Sequence, residues 1–311
     1  MRKRRKFYRG VVNHVYQRTI DGEHLFYCTE DYLVFFTILS VCARSAEIQI
    51  LELCLMHNHV HILIRTETCE ELSKFINHFS AWFVHEYNSF IGRSGKLLKK
   101  NFGSAPKWEE KRLRSSIIYI GNNPVEKRFC KKADEYRWNF LKYGLSDHPY
   151  SEQVVMRKAS SELRKAIKEV DIMNKLNLPL KYAQLIRFMK KLSEKERDQL
   201  TDYIISQFSP IDYKGLMSYF KSYNAMISAM ESTTGDDYDI RETRDDFSIK
   251  AFNEMTEYLH KSMPLHEIRK VTAFTTEKKI EIFRELQLHC SASEQQICRF
   301  LHLKMKRKNM K

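Results

Sequence analysis

Three histidines at alternate positions, His57, His59 and His61 in the run LMHNHVHILIR, are the first residues here whose types and spacing suggest chemistry. Side chains on a strand alternate between faces, so these imidazoles would line one side about 7 Å apart. Val60, Ile62 and Ile64 then supply the core face. Two imidazoles so placed can bind one divalent metal, and a solvated polar strand face is the bland alternative. A candidate nucleophile lies downstream in LRSSIIYIGNNPVEK (113–127). At helical spacing Leu113, Ile117 and Ile120 form one stripe, with Tyr119 and Asn123 together on its flank and Arg112 on the same flank. Residues four apart are neighbours on a helix, with β-carbons about 6 Å apart, so a phenol and a carboxamide sit side by side.

The elements that must position these groups follow from the apolar patterning. Residues 8–19 mix β-branched, aromatic and polar residues and predict a strand. Residues 30–45 (EDYLVFFTILSVCARS) are too long and too apolar for a strand and predict a buried helix. IQILELCLM (48–56) and HVHILIRT (59–66) have almost nothing between them and predict a hairpin. A helix follows at about 70–91, with Leu72, Phe75, Ile76, Phe79, Phe83 and Tyr87 at helical spacing. Gly92 to Pro106 predicts a loop. A third helix, about 108–122, is expected to stop at Asn-Asn-Pro, because the residue before a proline disfavours the helical conformation.

This order describes an α+β domain with an antiparallel sheet, ending near residue 147. From about 152 onward the patterns are helical throughout. LSEKERDQLTDYIISQF (192–208) starts with a capping box from Ser193 and Glu196, and the polar, acidic stretch 232–246 predicts a linker or exposed loop. The expected division is therefore 1–147, a helical region 148–250 that serves as a linker or DNA-binding scaffold, and a helical region 251–311.

Composition narrows the class. The 311 residues are 43% apolar and 12% aromatic with nine Gly and six Pro, which favours a largely helical globular chain. A net charge of +14 attracts polyanions, nucleic acid being the commonest. Seven cysteines without paired spacing argue against a zinc site and predict reduced thiols. No signal peptide and no apolar run of membrane-spanning length is present, so a soluble, cytoplasmic, nucleoid-associated protein is expected.

His59-Val60-His61 resembles the His-hydrophobic-His motif of the HUH nuclease superfamily. Tyr119-Ile-Gly-Asn-Asn123-Pro-Val resembles the nucleophile segment of its single-tyrosine transposases, in particular the REP-associated tyrosine transposases of the IS200-like group. HVYQR (14–18), LFYCTEDY (25–32), MHNHVHILI (56–64) and the loop YNSFIGRSGKLLKKNFG (87–103) agree, so the resemblance covers roughly residues 5–145. His57 departs from it, since the family usually has proline there, which raises the question whether His57 touches metal or DNA. The resemblance implies a ferredoxin-like HUH domain with His59, His61 and Asn123 as metal ligands and Tyr119 as nucleophile. It also implies a metal-dependent single-stranded DNA endonuclease and strand-transferase that acts on hairpin or palindromic DNA as a monomer or homodimer. The metal it implies is Mg²⁺ or Mn²⁺; two imidazoles alone would suit zinc better. Free tyrosine has a pKa of about 10, so the phenol needs help, and a divalent cation on the scissile phosphate would give it.

Candidate DNA contacts are basic. Segment 93–114 holds eight Lys or Arg against two Glu, with Phe102 and Trp108 interleaved. Cations can track phosphates while rings stack on unpaired bases. Lys99, Lys100, Arg112 and Arg114 are singled out here, and Arg4 and Arg5 in the basic start of the chain. At the other end, 276–308 predicts two short helices joined by a tight turn, with Ile280, Phe283, Leu286, Ile297, Phe300 and Leu301 between them. They resemble a helix-turn-helix unit, which would need a further helix or an extension into the basic tail for recognition, and an ordinary helical hairpin is the alternative. The competing function is a catalytically silent sequence-specific DNA-binding protein, repressor or architectural, on the same fold. The intact set of His59, His61, Tyr119 and Asn123 favours the enzyme.

Overall fold

A computed structural model describes residues 7–232 and 248–304. Its first part runs β1 (Val12–Arg18), α1 (Thr29–Ser45), β2 (Gln49–Met56), β3 (His59–Arg65), α2 (Cys69–Ile91), β4 (Gly103–Lys107) and α3 (Glu110–Glu126). The sheet order is β2-β3-β1-β4 with every neighbouring pair antiparallel, the ferredoxin-like βαββαβ arrangement. Val15 and Gln17 of β1 share one face with Val60, Ile62 and Ile64 of β3. Gln17 accepts a 2.9 Å hydrogen bond from Ser80 of α2, which places α2, with α1 packed beside it, on that face. α3 crosses the other face.

Helices follow locally. Thr68 and Glu71 cap the start of α2 reciprocally, and Gly92 ends it in the left-handed conformation, φ 69°. Helix α1 is apolar almost all round because it is covered twice, by the sheet and α2 within and by α5 (Tyr182–Met189) and α6 (Glu194–Phe208) outside. These belong to a second, all-helical stretch: α4 (Ser161–Lys175), α5, α6, α7 (Tyr213–Met217) and α8 (Tyr223–Ser232). α6 starts with the reciprocal Ser193–Glu196 cap that its sequence predicts. The apolar core of the sheet continues without a break into these helices as far as Met230. A separate core joins α9 (Ile249–His260), a 3₁₀ segment (Leu265–Ala273), α10 (Thr276–His289) and α11 (Glu294–Leu301) to Tyr27.

Four expectations need correction. The stretch to Pro106 is not all loop, since Gly103–Lys107 pairs with β1 as an edge strand. Pro106 is tolerated there because an edge strand has one row of unpaired groups. Helix α3 does not stop before Pro124 but runs through it to Glu126. The proline falls in the last turn, and the chain beyond recovers bonds from Lys127 N to Asn123 O and from Phe129 N to Pro124 O. His57 is not on the strand, as it lies between the end of β2 and the start of β3. In the C-terminal pair, Ile280 is 38% exposed and Ile282 takes the core position. The predicted linker at 232–246, apart from Ser232, and the basic tail beyond 304 lie outside the described residues.

The C-terminal helices dock on the segment between β1 and α1. The Tyr27 hydroxyl donates to the Phe300 carbonyl at 2.5 Å, and His302 Nε2 donates to the His24 carbonyl at 2.7 Å. That bond makes Nδ1 the lone-pair nitrogen of His302, and it faces Glu23 Oε2 at 3.3 Å. Burial pushes the Glu23 carboxyl up to about 7 from its usual 4.5, and burial pushes His302 down to about 3 from its usual 6.5. A raised carboxyl contributes stability that is present below pH 4.5 and lost as pH rises through about 7; a lowered imidazole contributes stability present above 6.5 and lost as pH falls towards 3. The two dependences cancel between 4.5 and 6.5. Glu23→Gln removes the first, so thermal melts should show the variant gaining on the natural protein as pH rises from about 4.5 to 7 and no further above it. A difference between the two that does not change with pH would rule out the buried neutral Glu23.

Candidate active site

The register of the sheet gathers the candidate residues. Tyr16 pairs with His61 and Arg18 with His59 across β1 and β3, and Cys54 and Met56 of β2 pair with the same two histidines. Paired residues share a face, so His14, Tyr16, Arg18, His59 and His61 point to the side that α3 covers. The ring centroids of His59 and His61 are 4.9 Å apart. The Tyr119 ring stands edge-on to His61 at 5.6 Å and lies 5.9 Å from His14. Tyr16 lies 5.2 Å from His59 and 4.8 Å from His61, and its hydroxyl accepts a bond from Arg18 Nε.

Hydrogen bonds orient the two imidazoles. His59 Nδ1 lies 2.7 Å from Asn58 Oδ1, an acceptor only, so Nδ1 carries the proton and Nε2 is the lone-pair nitrogen. His61 Nδ1 meets His14 Nε2 at 3.0 Å. A metal-binding histidine uses one nitrogen on the ion and anchors its ring through the other, and both histidines are anchored at Nδ1. Asn58 is held in turn, since its carbonyl accepts from Thr19 N at 2.9 Å and from Thr19 Oγ1 at 3.0 Å. Among the described residues no group of three or more His, Cys, Asp or Glu is arranged to hold a metal ion. Two imidazoles and a carboxamide are not such a group by residue type, and donors of those types suit a divalent cation.

Helix α3 buries Leu113, Ile117 and Ile120 as its stripe predicts, together with Tyr119 and Asn123. Gly121 lies between them in sequence, and a β-carbon there would collide with the Met230 side chain of α8. Glycine therefore lets α8 press onto the helix at the level of the tyrosine. Tyr119 is 5% exposed, Asn123 1%, His59 2% and His61 0%, so a phosphodiester reaches them only if covering groups move aside.

The other sequence candidates are scattered. Lys99 and Lys100 are exposed, and Lys99 N donates to Arg18 O at 2.8 Å, which puts this pair at the His59 end of β1. Arg112 lies over the Trp108 ring at 4.7 Å and pairs with Glu109 at 3.4 Å. Arg114 turns to the helical region, 5.3 Å over Phe220. Phe102 is buried, whereas Trp108 is exposed. Arg4 and Arg5 lie outside the described residues. His57 stacks on Phe129 at 5.7 Å and meets His24 edge-on at 5.4 Å, while its carbonyl accepts from Leu25 N at 2.7 Å. It ties the hairpin to the segment before α1.

Three neighbours of the pair escaped the sequence reading as functional residues. His14 and Tyr16 alternate on β1 as His59 and His61 do on β3, a signal available only once the strands are paired. Glu52 shares their face one row beyond Cys54, with both carboxylate oxygens buried and no hydrogen-bond partner among the described residues. Burial holds its carboxyl well above the usual carboxylate range.

Comparison with known proteins bears on the same residues. Residues 14–110 match the family described as transposase IS200 like, a span that includes His59 and His61 and ends before Tyr119. A solved REP-associated tyrosine transposase bound to a REP hairpin is similar at 16% identity and a TM-score of 0.41, covering 52% of this chain and 95% of that one. No curated protein matches the chain.

Proposed function

We propose, from the premise that residues 14–110 form an IS200-like transposase domain, that this protein cuts and rejoins single-stranded DNA through Tyr119. The observation that carries the reading is the Tyr119 ring against His61, on the sheet face where His59 and His61 are both anchored at Nδ1. His59 Nε2, His61 Nε2 and the side-chain carboxamide oxygen of Asn123 would hold a divalent cation, Mg²⁺ or Mn²⁺. When bound, it would withdraw charge from the scissile phosphate. The Tyr119 oxygen attacks phosphorus and loses its proton, and the bond to the 3′ oxygen breaks. That oxygen takes up a proton and leaves as a 3′ hydroxyl, while the 5′ phosphate stays on Tyr119. Attack by a 3′ hydroxyl reverses the step, so strands are joined without an external energy source. Arg18, fixed against Tyr16, and Lys99 and Lys100 beside it supply positive charge at the His59 end for the DNA backbone.

The DNA acted on is single-stranded or hairpin DNA, a choice that rests on the sequence resemblance. The test is incubation of purified protein with labelled hairpin oligonucleotides and Mg²⁺ or Mn²⁺. The expected result is an SDS-resistant protein–DNA adduct that disappears with a chelator and falls by about a hundredfold or more in His59→Ala or His61→Ala. Binding without adduct on a broad panel of hairpins would favour the non-cutting DNA-binding protein instead.

A further inference from the structure

Eleven large apolar side chains are exposed among the described residues, and the two that carry aromatic rings, Tyr8 at 46% and Trp108 at 48%, are in contact. Their centroids are 5.7 Å apart and their planes nearly perpendicular, at 83°. A hundred residues separate them along the chain. The pairing of β1 with β4, which sets Val12 opposite Lys107, brings them to one end of the sheet edge. The Trp108 ring is fixed rather than loose. Its Nε1 donates to Glu109 Oε1 at 2.8 Å, and the Arg112 guanidinium lies over it at 4.7 Å. Arg9 beside Tyr8 and Lys111 beside Arg112 are exposed as well.

We propose that Tyr8, Trp108 and Arg112 form a stacking site for one unpaired nucleobase of the DNA strand whose phosphodiester lies at Tyr119. A flat ring held in place and half open to solvent suits another flat ring, and the cations around it suit the phosphates on either side of a base. Position agrees as well as chemistry. Trp108 stands just before α3, and the nine helical steps from Glu110 to Tyr119 rise about 14 Å, a span of only a few nucleotides. The site would hold the unpaired strand in line with the nucleophile and favour single-stranded over fully paired DNA, whose bases have no free face. The inference rests on the proposed action at Tyr119 for its substrate, and its test is separate from that action.

The experiment measures binding of labelled oligothymidylate, without added metal, to the natural protein, Trp108→Ala and Trp108→Phe, with tryptophan fluorescence recorded alongside. The chain has three tryptophans, so Trp108→Phe isolates the signal of one. The expected result is quenching that Trp108→Phe removes, affinity about tenfold weaker in Trp108→Ala, and recovery of most of it in Trp108→Phe. The salt dependence should be the same in all three, because no phosphate contact is lost. An abasic position stepped along the oligonucleotide should cost the natural protein a similar factor at one place and cost Trp108→Ala nothing further there. Binding within twofold in Trp108→Ala, an unquenched Trp108, or no binding of the natural protein to single strands would each overturn the site. If Tyr119 adducts still form in that case, the nuclease reading stands without it. Quenching and a weaker Trp108→Ala in a protein that never forms adducts would leave the stacking site and remove the nuclease.

Discussion

Tyr119→Phe is expected to abolish covalent attachment to DNA while leaving fold and DNA binding in place. The substitution removes one hydroxyl and keeps the ring that packs in the core beside Ile117 and Ile120. A single hydrogen bond contributes about 0.5–1.5 kcal/mol net, so the variant should melt close to the natural protein. The chemical loss is of another size. Without the phenolic oxygen no phosphotyrosine can form, and strand cleavage should fall by about a thousandfold or more to whatever water attack supplies. SDS-resistant adduct and released 3′-hydroxyl strand, measured together, separate the two effects. Persistence of the adduct would exclude Tyr119 and turn attention to Tyr16, whose ring lies against both His59 and His61. Asn123→Ala should instead leave a slower reaction that needs more metal, since the phenol remains and only the carboxamide donor is gone.

How much of this was legible beforehand depended on whether the signal was local. The alternation of Val60, Ile62 and Ile64 against His59 and His61 is written in seven consecutive residues, and β3 follows it. The stripe of Leu113, Ile117 and Ile120 likewise foretells which side of α3 is buried. β4 was not legible, because Gly-Ser-Ala-Pro-Lys has no β-branched or aromatic residue; it is a strand only because β1 offers an open edge. His57 looked like a third strand imidazole, and its exclusion comes from the turn, which has no signal in a pattern of period two. The anchors of the histidines were hidden for another reason. His14 lies 47 residues from His61, and their contact exists only after β1 and β3 align. The surfaces of single basic residues were hidden as well: Arg112 and Arg114 are two positions apart yet stand over Trp108 and Phe220 respectively.

The largest effect on stability is expected at the ion pair that joins the C-terminal helices to α1. Arg269 donates to Asp31 Oδ1, and both side chains are wholly buried. Arg269 is otherwise held by the His266 carbonyl at 2.9 Å and by the Tyr182 ring 4.1 Å below its guanidinium. Asp31 does several jobs at once. Its Oδ2 accepts from Tyr27 N at 2.7 Å and Cys28 N at 3.1 Å, closing the start of α1, while Tyr182 donates to Oδ1 at 2.9 Å. Arg269→Met keeps the bulk but strands the carboxylate in a closed site, which costs about 3–5 kcal/mol, far more than the net worth of an intact pair. Adding Asp31→Asn removes the stranded charge, so the double variant should recover part of that loss despite having one group fewer. Denaturant unfolding of the three proteins measures this; a loss below about 1 kcal/mol in Arg269→Met would mean the pair is not buried as described. The same latch leads towards the candidate site. α1 begins where the chain leaves His24 and Leu25, and Leu25 N holds the His57 carbonyl beside Asn58, the residue that orients His59. Arg269→Met should therefore slow adduct formation as well as weaken the fold, whereas Tyr119→Phe removes adduct formation with the fold intact.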